Sequence, residues 1–226
     1  MGLDMYLYRF PRFKGYGPEQ LMAADEYFDG LESESGQEYG FEEWCGAKES
    51  DLPSKEDMEY LKGQRHIRFA DWDTDQRYPH MRAYENVMYW RKANAIHRWF
   101  VNNVQGGEDD CEFHFEVTKE VLKKLRDVCK EVLKSAVLVQ GKIENGYSFE
   151  MVNGKIKKIP HMVEGKYILD TSVCEELLPT EEGFFFGGTG YNEYYLNDVE
   201  DTFEICCQLL DKTDFDSQMN YYRSSW

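Results

Sequence analysis

The 226-residue chain is predicted to be α+β, with a mixed or antiparallel sheet and several packed amphipathic helices. Three observations predict it. Helical periods and alternating runs are interspersed without the regular strand–helix–strand repeat of a parallel fold. Asn153-Gly154 separates Phe149-Glu150-Met151-Val152 from Lys155-Ile156-Lys157-Lys158-Ile159, which signals a β-hairpin with a type I′ turn. The composition, 42% hydrophobic and 15% aromatic, supplies a core and argues against disorder. We read one domain over residues 1–226, leaving room for a helical insertion around 18–63.

Residues 3–10 alternate and read as a strand. Gly17-Pro18 opens a helix, with Pro at its first position and Gly30 past its end. Ser54-x-x-Asp57 resembles a capping box ahead of a short helix stopped by Gly63. From 87 to 105, Tyr89, Ala93, Ile96, Phe100 and Val104 recur at helical spacing, and Gly106-Gly107 ends that helix. On it Trp90, Asn94 and His97 would form one flank, with Arg91, Arg98 and Asn102 about opposite its apolar face. Thr118 caps the next helix, whose apolar stripe includes Leu122, Leu125, Cys129 and Val132. Beyond the hairpin, residues 166–169 read as a third strand, and Ser172-x-x-Glu175 caps a short helix that Pro179 ends. Phe184-Phe185-Phe186 reads as a buried strand, and a final helix over about 199–210 turns Val199, Phe203, Cys206 and Leu210 inward.

The formal net charge is -17, which excludes binding bulk nucleic acid or an anionic membrane through a cationic surface. The charge is segregated: residues 19–60 sum to -12 and 171–226 to -10, whereas 61–105 sum to +4. That positive island holds six of the ten arginines and leaves room for one discrete anion site. Met1-Gly2-Leu3-Asp4 lacks the basic start of a secretory leader, and no apolar run reaches the ~20 residues of a membrane span. A cytoplasmic location is expected, with the six cysteines reduced. Tyr6 in place of Ser or Thr argues against myristoylation.

Three segments carry a resemblance: Met1-Gly2-Leu3-Asp4-Met5-Tyr6-Leu7-Tyr8; Tyr89-Trp90-Arg91-Lys92-Ala93-Asn94-Ala95-Ile96-His97-Arg98-Trp99-Phe100-Val101; and Leu177-Leu178-Pro179-Thr180 with Gly183-Phe184-Phe185-Phe186-Gly187. Together they resemble a family of uncharacterised small proteins encoded by tailed phages, prophages and some bacteria. The resemblance implies a context and no reaction: an accessory rather than virion protein, in the host cytosol if phage-encoded. The family pattern follows the triple Phe with Gly-Ser-Thr. Gly188 and Gly190 depart from it, which weakens a phosphate-loop reading of this turn.

The strongest candidate chemistry is anion binding. Arg91, Lys92 and Arg98 can hold phosphate, Trp90 can stack on a base, and Asn94 and His97 stand beside them. The bland alternative is a solvated face or internal pairing with the acidic blocks. Phe186, Gly187, Gly188, Thr189, Tyr191 and Tyr194 extend the candidate site, since a glycine turn can present amides to an anion; it can equally serve as a local turn. Asp71-Trp72-Asp73-Thr74-Asp75 fails as a calcium loop, with Gln76 at the glycine position. Cys111-x-x-His114 is a weak metal candidate without a second ligand pair, and Cys45 is one cysteine without an assigned histidine.

The expected function is therefore a non-enzymatic binding protein for a small anionic, nucleotide-like ligand or a host protein, in counter-defence for a phage-borne chain. No cofactor is implied. The alternatives are a nucleotide or phosphoester hydrolase using His97 and Arg91, and an acidic DNA mimic.

Overall fold

The computed structural model describes residues 2–32, 52–68, 80–109, 111, 113, 115–152, 154–183 and 186–226. Cys45, residues 71–75, His114 and Asn153 lie outside them. In chain order the elements are β1 (Asp4–Pro11), α1 (Pro18–Glu32), α2 (Lys55–Gln64), β2 (His66–Arg68), β3 (His80–Arg82), β4 (Glu85–Arg91), α3 (Asn94–Asn103), α4 (Lys119–Ser135), β5 (Leu138–Val152), β6 (Lys155–Ile168), α5 (Ser172–Leu177), α6 (Glu193–Lys212) and β7 (Gln218–Ser225). The fold is α+β, with every described strand pair antiparallel. No helix among the described residues is long and apolar enough to cross a membrane.

The central sheet runs β4-β1-β7, so strands from the two ends of the chain pair side by side. Successive strand residues point to opposite faces, and β1 uses both. Leu3, Met5 and Leu7 enter one core with Trp90 and Tyr222, whereas Phe10 enters a second core with Met219. Helices α3, α4 and α6 cover the first face; Leu122, Leu125, Cys129 and Val132 of α4 meet Val199, Cys206 and Leu209 of α6 there. Helices α1 and α2 cover the second through Leu21, Ala24, Phe28, Met58 and Leu61. A buried ion pair, Asp25 Oδ1 with Arg65 Nε at 2.9 Å, ties α1 to the end of α2.

Local signals fix several of these elements. The Thr118 side chain accepts from Val121 N, and Ser54 accepts from Asp57 N. Two long strands, β5 and β6, form a two-stranded ribbon whose turn falls between Val152 and Lys155.

Other expectations need correction. Residues 87–105 are not one helix: 85–91 are strand, and a helix starts only at Asn94. Val87, Tyr89 and Trp90 are strand-favouring residues, and pairing of Met5 with Trp90 and Tyr6 with Tyr89 outweighs the helical spacing. Lys92, at φ 61, makes the break. The proposed flank of Trp90, Asn94 and His97 therefore does not exist. Residues 166–169 are not a separate strand, because β6 runs unbroken to Ile168. Phe186 belongs to no strand, and Phe184 and Phe185 lie outside the described residues. Helix α1 passes through Gly30 to Glu32. Ser172 does not cap α5: it is the first helical residue, the N-cap is Thr171 without a side-chain cap bond, and the Asp170 carboxylate accepts from Ser172 N at 3.0 Å. The sequence reading missed β7.

Candidate functional site

A cavity of about 680 Å³ opens where five segments meet. They are the end of β4 with Lys92 and Ala93, the first turn of α3, a stretch of β5 around Asn145, the loop around Gly188, and the first two turns of α6.

Each wall has a local cause. The β5–β6 register passes from Glu144↔Met162 to Tyr147↔Pro160, so Asn145-Gly146 bulges from the ribbon, with Gly146 at φ 83. Bulges re-aim side chains; here Asn145 Nδ2 donates to the Tyr194 hydroxyl at 3.4 Å, joining ribbon to α6. The ribbon sits close because Gly165 faces α6. A Cβ there would lie 2.8 Å from Glu193 Oε1, which accepts from Lys166 N at 3.0 Å. Asn192 caps α6 by accepting from Tyr194 N and Tyr195 N.

Asn94 builds the loop wall. Its Nδ2 donates to the carbonyls of Phe186 at 3.0 Å and Gly188 at 2.8 Å, and its Oδ1 accepts from Glu181 N at 3.1 Å. Gly187 needs its φ of 87, and a Cβ there would lie 3.1 Å from Lys92 Cβ. Asn94→Asp should cost about 1–3 kcal/mol in urea denaturation, because both carbonyls lose their donor and face a carboxylate on a buried side chain instead. A loss below 0.5 kcal/mol, on the order of a surface substitution, would refute this clamp.

Helix α3 has no side-chain cap, since its N-cap residue is Ala93. The amides of Ala95 and Ile96 find no acceptor among the described residues. Exposed Arg91 and Lys92 flank this turn, and neither makes an ion pair with a described residue. Uncapped amides, the helix dipole and two cations together favour an anion.

Asp198 is the site residue that the sequence reading missed. It lines the cavity from α6, and no described group hydrogen-bonds its carboxylate. Burial, aided by the Asp201 charge, pushes its carboxyl up to about 7. Asn197, Glu144, Asn145 and Tyr147 were missed too. Asn145-Gly146 inside an alternating run was a readable bulge signal.

Of the residues selected from sequence, Arg91, Lys92, Asn94, Gly187, Gly188 and Tyr194 line the cavity. The others do not, and each has another partner. Trp90 is buried and its Nε1 donates to Thr202 Oγ1 at 2.9 Å. Arg98 donates to the Thr180 carbonyl at 3.4 Å. The Thr189 carbonyl accepts from Thr180 Oγ1 at 3.1 Å, and the Tyr191 hydroxyl from Thr180 N at 3.3 Å. Arg98, Thr189 and Tyr191 thus fasten the loop from behind. Phe186 packs edge-on against the His97 ring, centroids 5.1 Å apart. His97 is 1% exposed; its Nδ1 lies 2.7 Å from the Tyr222 hydroxyl and its Nε2 3.0 Å from Asp109 Oδ2. Both ring nitrogens are committed inside the protein, so this geometry gives no support to a hydrolytic role for His97 with Arg91.

Cys111 has its Sγ 3.9 Å from Ser224 Oγ, and burial raises its thiol. Among the described residues no group of three or more His, Cys, Asp or Glu is arranged to hold a metal. No protein-family model, curated protein or solved structure matches the chain.

Proposed function

We propose that the chain is a non-enzymatic binding protein whose cavity takes a small anionic, nucleotide-like ligand. One observation carries this: Arg91 and Lys92 stand beside the uncapped first turn of α3 in the lining of a half-open, partly aromatic cavity. The volume, about 680 Å³, falls within the range of small-molecule sites. Arg91 can grip phosphate bidentately and Lys92 adds a point charge, while Tyr147 and Tyr194 offer ring faces. The acidic remainder of the chain disfavours a long polyanion and leaves a short one admissible. With the phage or prophage context that the sequence resemblance implies, sequestering a nucleotide messenger or occupying a host protein, as counter-defence, is the role we infer, in the host cytosol.

Isothermal titration with mononucleotides and cyclic dinucleotides tests the reading. At least one should bind at low salt. The Arg91→Ala/Lys92→Ala double variant should weaken it about tenfold or more, since each charge-assisted contact contributes about 1.5–3 kcal/mol. Both residues are exposed, so the variant should fold. Failure of every anion to bind the wild-type chain would overturn the proposal.

A further inference from the structure

The cavity contains an apparent contradiction. It presents two cations and an uncapped helix turn to an anion, yet one wall holds Asp198, whose carboxylate has no described hydrogen-bond partner. An unpaired acid repels an anionic ligand unless the ligand itself brings hydrogen-bond donors to it. A sugar brings hydroxyls and a nucleobase brings N–H groups held in one plane; the aromatic lining favours the base, and the neighbouring groups narrow which one.

Asn197 precedes Asp198 on α6 and lines the same cavity; the structure shows no described partner for its amide. The cavity lining therefore includes a carboxylate, which accepts two hydrogen bonds side by side, and, one residue earlier on the same helix, an amide, which both donates and accepts. Guanine is the common base that presents two adjacent N–H donors, N1–H and the 2-amino group, beside an exocyclic oxygen. Adenine and cytosine pair one amino group with a ring acceptor, and uracil flanks a single N–H with two oxygens. Tyr147 and Tyr194 line the cavity as well and supply faces for a planar ring.

We propose that the cavity selects a guanine nucleotide, with Asp198 accepting from N1–H and the 2-amino group, Asn197 donating to the 6-oxo oxygen, and Arg91 and Lys92 holding the phosphate. The proposal rests on the anionic-ligand reading above and specifies its base. The raised carboxyl accords with it: burial and the Asp201 charge push Asp198 up to about 7, and two N–H donors would favour its ionised form.

The test compares guanosine, inosine, adenosine and xanthosine monophosphates with ribose 5-phosphate at pH 7.5, by titration calorimetry. GMP should bind about tenfold or more tightly than IMP, which lacks only the 2-amino group, because a buried acceptor is left unpaired. Ribose 5-phosphate should be weaker still. Asp198→Asn should lose the GMP preference and favour XMP, whose 2-oxo group accepts from the new amide. That gain of binding cannot come from misfolding. Equal affinity for GMP and IMP in the wild-type chain, or an unchanged GMP preference in Asp198→Asn, overturns the guanine assignment and leaves anion binding standing. Absence of binding by all five compounds overturns the guanine assignment, and if the cyclic dinucleotides fail as well, both readings fall.

Discussion

His97→Ala should lower the unfolding free energy by about 3–5 kcal/mol, measured by urea denaturation at pH 7. The ring is the hub of a polar network in the first core. Asp109, which accepts from His97 at 3.0 Å, also accepts from Ser224 Oγ at 2.9 Å and from Trp226 Nε1 at 2.5 Å. The network thereby joins α3 to β7 and to the last residue of the chain. Truncation leaves a cavity beside Phe100 and Tyr222, whose rings stack with centroids 4.1 Å apart. It also strips the Tyr222 hydroxyl of its partner, in a residue that is 2% exposed. The vacated volume and the orphaned hydroxyl each account for about half of the expected loss. The acid limb should change as well. Burial opposes ionisation of Asp109, but hydrogen bonds from His97, Ser224 and Trp226 outweigh it and hold the carboxyl below its ordinary value. A depressed carboxyl contributes stability above its unfolded pKa and loses it as pH falls through the folded one. His97→Ala should therefore flatten the decline of stability below about pH 4. A loss smaller than 1 kcal/mol with an unchanged acid limb would remove His97 from this structural role and reopen a catalytic one.

The contrast between His97 and Arg91 shows what a sequence can and cannot disclose. Helix α4 was legible throughout, because Thr118 and the stripe through Leu122, Leu125, Cys129 and Val132 are local to it. So was β1, where Met5 and Leu7 alternate. Residues 87–91 were not. Over five positions an apolar strand and the first turn of an apolar helix look alike. What decides is pairing with β1, more than 80 residues away in sequence and invisible to a local window. Strand β7 was hidden by chemistry: Asn220 and Ser224, both fully buried, occupy inward positions where alternation predicts apolar side chains. In the site, Arg91, Lys92, Gly187 and Gly188 were picked by type, and folding brings them together although the helix meant to carry Arg91 and Lys92 is a strand and a turn. Asp198 was beyond reach, since 43 acids look the same until burial separates one.

Asp198→Asn should stabilise the protein above pH 7, by up to about 4 kcal/mol. The sign follows from the raised carboxyl. The folded pKa of about 7 lies above the ordinary 3.8, so the native state resists ionisation. An acid of this kind costs nothing below its unfolded pKa. The cost grows between about pH 4 and 7 and is complete above the folded value, where the gap of about three pH units corresponds to about 4 kcal/mol. Asn removes the charge at constant shape. The variant should melt at a higher temperature than wild type at pH 8, with the difference shrinking toward zero near pH 4, as read by thermal denaturation across that range. A pH-independent difference, or a loss of stability at pH 8, would show that the carboxylate is solvated or paired and not held dry at the cavity wall. The outcome joins directly to binding. A residue that weakens the fold most at neutral and alkaline pH, has no described hydrogen-bond partner and faces a cavity is more readily explained by a ligand than by packing. GMP should therefore raise the melting temperature of wild type at pH 8 by more than that of Asp198→Asn, because only the wild-type carboxylate gains two N–H partners when the site fills.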